Sequence, residues 1–371
     1  MPVTTFAPAL SILSAFKRVS PVGPLHTFLR TAEEKMRPSL VLPHAPVVRT
    51  AQTERMARGD VGPHQLATVL RESGRGATPT IVLGGFVPDA TEQVFLFRRF
   101  FRRAGDVYYL NYPRHGFSLD LFCAQLDDLV AELAVLHRQA PVVFSVSFGS
   151  GLLLAWLHRA RLAGNNPALA GVVLVSPVAC VADLINPAAA KAATLLGRAL
   201  QPYFQCAKGD EAELIEKSRL IFSRLFESGA QNKTALHALM TPGELARLRA
   251  NVSDVIRGIS PTGARERVSA LQSMCAPPAY FSPGILPLTG APALILYAER
   301  EEAVLDRGSP TRFAFTSAHR AYFPDSRVQQ VTNPFGAPVQ HASLIFHAFN
   351  FLPPLSAFYQ RLKPRRLQAA A

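Results

Sequence analysis

No apolar run in the sequence approaches the roughly 18 residues that mark a membrane-spanning helix. Cysteine is scarce, at four in 371 residues. Cys123, Cys180, Cys206 and Cys275 show no paired spacing, which excludes a disulfide scaffold or a metal knuckle and leaves small apolar residues or at most one bridge. HExxH, HxxxH and any carboxylate–histidine cluster of useful spacing are missing, so no metal is expected. The stretch GGFVPDA lacks the third glycine of a dinucleotide turn, and the phosphate-loop pattern GxxxxGK[ST] is absent, so no cofactor is expected. Acidic residues are few, 26 against 39 lysines and arginines, for a formal charge of +13. Such a surface attracts an anionic substrate, an acidic carrier protein or a membrane surface. The basic residues are dispersed, as in FRRFFRRAG, and no finger, basic arm or RNA-binding pattern goes with them, which disfavours nucleic acid. The opening MPVTTFAPALSILSAFKRV has no positive segment before its apolar part and no clear cleavage pattern. A cytoplasmic location is therefore expected, with secretion left open, and no oligomeric state follows from the sequence.

Apolar residues make up 49% of the chain, enough for a sizeable core. Residues 1–59 look like an arm or extra layer. From His64 to Glu72 the run HQLATVLRE suggests an edge strand. TPTIVLGG, DVYYLNYP, APVVFSVS and LAGVVLVSP then read as short buried strands. They alternate with the helical patterns DATEQVFLFRRFFRRAG (capped by Asp89 or Thr91), LDLFCAQLDDLVAELAVLHRQ and GSGLLLAWLHRARLAG. Such alternation predicts an α/β fold, a mostly parallel central sheet with helices on both faces. It stops at about residue 185. From there to about 287 the pattern is helical, too long for a loop, and predicts an inserted helical cap. PPAYFSPG at 277–284 suggests a hinge. Alternation resumes with APALILYAER and RVQQVT and closes on ASLIFHAFNFL, which looks like a final helix. The core is thus expected at 60–184 and 288–371, with the cap at 185–287.

The third strand meets its helix at Ser145-Val146-Ser147-Phe148-Gly149. A sharp strand-to-helix turn needs small residues two before and two after its apex. Ser147 would project from that apex while the helix start aims N–H groups at developing negative charge. Ser145 is the small residue that clearance requires.

Three features in this order resemble the α/β-hydrolase superfamily. Gly84-Gly85-Phe86 follows the first buried strand, where members often carry His-Gly and a variable residue. Tyr112-Pro113-Arg114-His115-Gly116-Phe117-Ser118 looks like the family's Gly-His-Gly-x-Ser turn, with Arg114 for the first glycine. The Ser147 turn comes next, with Ser145 for the usual glycine. The resemblance covers about residues 64–182, with the strand near 293 and a histidine near 341. It implies a nucleophilic Ser147, an oxyanion hole from the backbone N–H groups of Phe86 and Phe148, and the chain order Ser, acid, His.

A serine hydroxyl needs an imidazole to take its proton and a carboxylate to orient that imidazole. His341, in PVQHASL, is the expected base and His347 its rival. For the acid, Ala298, Glu301 and Val304 fall where members often read Gly-x-x-Asp-x-x-Val, which favours Glu301. Glu302, Asp306 and Asp183, the last just past VLVSP, are the alternatives. The insertion carries Leu195, Leu196, Leu200, Tyr203, Phe204, Leu220, Ile221, Phe222, Leu225 and Phe226, part of which would line an acyl site. The expected function is a serine hydrolase acting on a carboxylic ester of a small apolar acyl substrate. A thioesterase or acyltransferase acting on carrier or coenzyme thioesters, and a non-catalytic binding member of the fold, are the other readings.

Overall fold

The computed structural model describes residues 40–205, 211–229, 240–334 and 336–362. The expectations for residues 1–39 and for Cys206 lie outside them. Among the described residues eight strands form one sheet: β1 (Val41–Pro43), β2 (Thr68–Glu72), β3 (Thr80–Leu83), β4 (Val107–Asn111), β5 (Val142–Val146), β6 (Gly171–Val175), β7 (Ala293–Ala298) and β8 (Ser326–Val331). Their order across the sheet is β1-β2-β4-β3-β5-β6-β7-β8. β1 and β2 pair antiparallel, as do β2 and β4, and every later pairing is parallel. β2 is therefore not an edge strand, because β1 covers it. The segment before it is a short 3-10 turn at Pro63–Gln65.

Among the described residues the longer helices are α1 (Thr50–Ala57), α2 (Arg98–Ala104), α3 (Leu119–His137), α4 (Phe148–Leu162), α5 (Leu195–Gln205), α6 (Glu211–Gly229), α7 (Pro242–Gly258), α8 (Pro261–Ser273), α9 (Pro310–Tyr322) and α10 (Ala348–Arg361). The central strands are apolar on both sides, as a sheet covered on two faces requires. Ile81, Leu83, Tyr108, Leu110, Val143, Val172 and Leu174 point to one core. There they meet Leu126, Leu129 and Leu133 of α3, Leu152 to Leu157 of α4, and Phe315 of α9. Val82, Tyr109, Phe144, Val146, Val173 and Val175 point to the other, with Phe101 of α2 and Phe351, Leu355 and Phe358 of α10. Each such side chain contributes about 1.5–3 kcal/mol by burial.

Three expected helices come out shorter. The run from Asp89 breaks into a turn at Ala90–Gln93, a 3-10 turn at Phe95–Phe97 and then α2. Asp89 precedes the first turn but makes no cap bond; its carboxylate accepts from Arg114 at 3.1 Å. The helix α5 starts only at Leu195, and α10 only at Ala348, leaving residues 341–346 as loop. The expected hinge holds a 3-10 turn, Pro277–Tyr280, whose Tyr280 is buried and stacked on His158 at 4.3 Å.

Candidate active site

At the C-terminal ends of β5, β6 and β7 lie Ser147, Ser176 and Glu301, and beside them the loop that carries His341. Ser147 sits between the last residue of β5 and the first of α4, with φ 51° and ψ −115°. This is a positive φ that non-glycine residues rarely adopt. Its surroundings hold it there: the Ser147 N–H donates to the Val175 carbonyl at 2.8 Å, and its own carbonyl accepts from the N–H groups of Ser150, Gly151 and Val178. Gly149 is required by close approach. A Cβ there would lie 2.3 Å from the Gly84 carbonyl oxygen and 2.8 Å from that of Leu83. Ser145 is wholly buried and its hydroxyl is used internally, 3.0 Å from that of Ser150 and 2.8 Å from the Val173 carbonyl.

Ser147 Oγ is 2.9 Å from His341 Nε2, and His341 Nδ1 is 2.5 Å from Glu301 Oε2. With the imidazole proton on Nδ1, that nitrogen donates to the carboxylate and leaves Nε2 to accept from the serine. Glu301 is fully buried. Its other oxygen accepts from the Ser176 hydroxyl at 2.8 Å and from the Ala298 N–H at 2.6 Å. The two loops that carry His341 and Glu301 are tied together. Arg300 and Gln340 form a parallel bridge, and the Arg300 N–H donates to the Val339 carbonyl at 2.9 Å.

The other candidates stand apart from the imidazole. The Asp183 carboxylate accepts from the N–H groups of Ala179, Cys180 and Thr311 and from the hydroxyls of Ser309 and Thr311, at 2.6–3.1 Å. It fastens the start of α9 to the end of β6. Asp306 caps its own turn by accepting from the Gly308 N–H at 2.8 Å, and Glu302 is exposed. His347 is buried, with Nδ1 3.1 Å from the Ser343 hydroxyl and Nε2 3.2 Å from the Ala337 carbonyl. Burial pushes its pKa below the ordinary histidine value.

The loop Gly84-Gly85-Phe86 lies beside Ser147, because β3 and β5 run in register with Leu83 opposite Ser145. A Cβ on Gly85 would sit 3.7 Å from that of Ser147. Phe148 is the first residue of α4, so its N–H has no intrahelical acceptor. The rings of Phe86 and Phe148 meet edge to face at 5.2 Å.

Ser147 and His341 open into a cavity of about 120 Å³. Leu196, Phe222, Leu225, Phe226, Val252 and Ile256 form one wall, all from α5, α6 and α7 of the segment between β6 and β7. Of the other apolar residues singled out there, Leu200 and Tyr203 are buried deeper, whereas Leu195 and Leu220 face solvent. Among the described residues no group of His, Cys, Asp and Glu is placed to hold a metal, and no helix is long and apolar enough to cross a membrane. Cys123, Cys180 and Cys275 are free thiols.

Sequence reasoning missed Ser176 and Gln93. Ser176 directly follows β6 with φ 46°, is fully buried, and accepts from the Ala342 N–H at 3.3 Å while donating to Glu301. Gln93 lines the cavity and accepts from the Gly85 N–H at 2.6 Å. The strand-end position of Ser176 in VLVSP was a usable signal; Gln93 carried none.

No protein-family model and no curated protein matches the sequence significantly. Solved structures do. A membrane phospholipase A, described as a novel bacterial virulence factor, is 14% identical, with 96% of this chain and 98% of that one covered and a TM-score of 0.56. A thermophilic esterase from Thermogutta terrifontis is 13% identical over 80% of this chain and 94% of its own, at 0.52. An epoxide hydrolase from Bacillus megaterium is 11% identical over 80% and 98%, at 0.53. The chain has the α/β-hydrolase fold. Identities this low carry the fold alone, and an α/β-hydrolase fold hosts many chemistries. The reaction has to be argued from the residues that the fold brings together.

Proposed function

We propose that the protein is a serine hydrolase that cleaves a carboxylic ester with an apolar acyl group. The observation that supports this most is the unbroken relay from Ser147 through His341 to Glu301, set at the mouth of an apolar cavity. Ser147 Oγ attacks the ester carbonyl carbon while His341 Nε2 takes its proton. Glu301 keeps the imidazole in the tautomer that can accept, and stabilises the imidazolium once formed. The oxyanion rests on the N–H groups of Phe86 and Phe148. His341 then gives its proton to the leaving alkoxide as the carbon–oxygen bond breaks, leaving an acyl-enzyme. Water, deprotonated by the same nitrogen, attacks the acyl carbon; the acid leaves and Ser147 regains its proton.

The segment between β6 and β7 acts as a cap in this account. Its leucines, phenylalanines, valine and isoleucine bury an acyl chain and keep water from the oxyanion. A panel of aryl esters of graded acyl length, set beside matched acyl thioesters, tests the reading, with Ser147→Ala as control. Ester turnover that is lost in the variant is expected. Turnover confined to thioesters, or equal in Ser147→Ala, would overturn it.

A further inference from the structure

Three side chains pin the loop that would hold the oxyanion. The Tyr112 hydroxyl donates to the Gly84 carbonyl at 2.8 Å, and Gln93 accepts from the Gly85 N–H at 2.6 Å. The third is Arg267, whose Nη1 donates to the Phe86 carbonyl at 2.6 Å. Tyr112 and Gln93 belong to the sheet layer, but Arg267 comes from α8, on the segment between β6 and β7.

Arg267 is unusual in its setting. It is 2% exposed, and its Nε has no hydrogen-bond partner. Its Nη2 reaches the Pro113 carbonyl at 3.2 Å and the Tyr112 carbonyl at 3.4 Å. The guanidinium carbon lies 5.8 Å from the Phe86 ring centroid and 5.6 Å from that of Tyr112. Among the described residues no carboxylate pairs with it directly, and burial lowers its pKa to about 10. A buried cation held by carbonyls and ring faces is costly to desolvate. An apolar residue would fill the space at less cost, so stability alone does not account for an arginine there.

The neighbouring residue locks the same helix to the same core. Glu266 accepts from the Phe117 N–H at 2.5 Å and from Gln65 Nε2 at 3.0 Å. Gly263 packs so closely that a Cβ there would lie 2.2 Å from the Arg114 carbonyl. α8 is thus fixed against the turn after β4, behind the Gly84–Phe86 loop.

We infer that Arg267 is a positioning residue for the oxyanion hole: by holding the Phe86 carbonyl, it fixes the peptide that follows Phe86 and so the backbone orientation of the residue whose own N–H receives the oxyanion. This rests on the reading of the protein as a serine hydrolase. The oxyanion donor is then in place only when α8 is docked, and catalysis depends on a helix that touches no substrate. Arg267 is absent from the cavity lining, so its loss affects substrate binding little.

The test is the split between kcat and KM on an aryl ester in full-length protein. Arg267→Met is expected to lower kcat by about 10-fold or more, below the 10²–10³-fold of removing a donor outright, with KM little changed. Arg267→Lys, which keeps a cation able to reach one carbonyl, is expected to recover part of the loss. Arg267→Gln gives a second variant if Met does not fold, and melting curves establish which variants are folded. The affinity of a trifluoromethyl ketone, which forms the oxyanion adduct, should fall in parallel with kcat. Wild-type kcat in a folded Met or Gln variant, or a loss confined to KM, would overturn the assignment of Arg267 alone. Absence of ester turnover in the wild type would remove the serine-hydrolase reading, and this inference with it.

Discussion

Four carboxylates compete in the sequence for one imidazole, and the structure separates them by what each oxygen already does. Glu301 has one oxygen on His341 and the other on Ser176 and the Ala298 N–H. Asp183 spends both oxygens on α9 and the end of β6. Glu301→Gln is therefore expected to lower kcat by about 10³–10⁴-fold with little change in melting temperature, since the amide cannot stabilise an imidazolium. Glu302→Gln should leave kcat near wild type. Asp183→Asn should do the reverse of Glu301→Gln, lowering stability by about 2 kcal/mol or more through its buried donors and sparing kcat in the protein that remains folded. Kinetics and thermal melts on the three variants check this. In the sequence, the family pattern Gly-x-x-Asp-x-x-Val laid on Ala298 and Val304 favoured Glu301, and the need for small residues around the turn favoured Ser147 over Ser145. The place of Asp183 was not legible, because its partners Ser309 and Thr311 lie more than 120 residues away in sequence and meet it only through the fold.

At the level of elements, the turn from β5 to α4 depends on how closely it passes the end of β3. Gly149→Ala would drive a methyl into the Gly84 and Leu83 carbonyls. It is expected to destabilise the fold by about 1–3 kcal/mol and to slow turnover by shifting the Gly84–Phe86 loop, measured by melting and by kcat on the same preparation. The buried strands were legible because continuous Val, Ile and Leu runs bounded by glycine have few other uses. The interruptions were not. The run after Asp89 has apolar residues at helical spacing, yet it breaks before α2, and there Gln93 turns in to meet Gly85. β1, only three residues long, left too little pattern to show that β2 is covered. The final helix begins late because Ala342, at φ 48°, turns the chain so that His341 faces Ser147.

At the scale of the whole molecule, several histidines are held below their ordinary pKa, chiefly by burial: His137, His158, His319 and His347. A base with a lowered folded-state pKa binds more protons when unfolded. Stability is then fully present above the unfolded value of about 6.5 and falls as pH drops from there toward the folded value. Melting temperature should decline below about pH 6.5, and His347→Gln should flatten that decline. An equal slope in the variant would show that His347 does not contribute. The net charge of +13 adds self-repulsion in the same direction as carboxylates protonate.

The central claim is that the strained serine at the end of β5 is the nucleophile and that His341 activates it. Peptide mapping after reaction with a fluorophosphonate tests this most directly. The adduct is expected on Ser147, absent from Ser147→Ala, and formed far more slowly in His341→Ala than in His347→Ala. An adduct on Ser145, labelling that persists in Ser147→Ala, or no adduct on the folded wild type would contradict it.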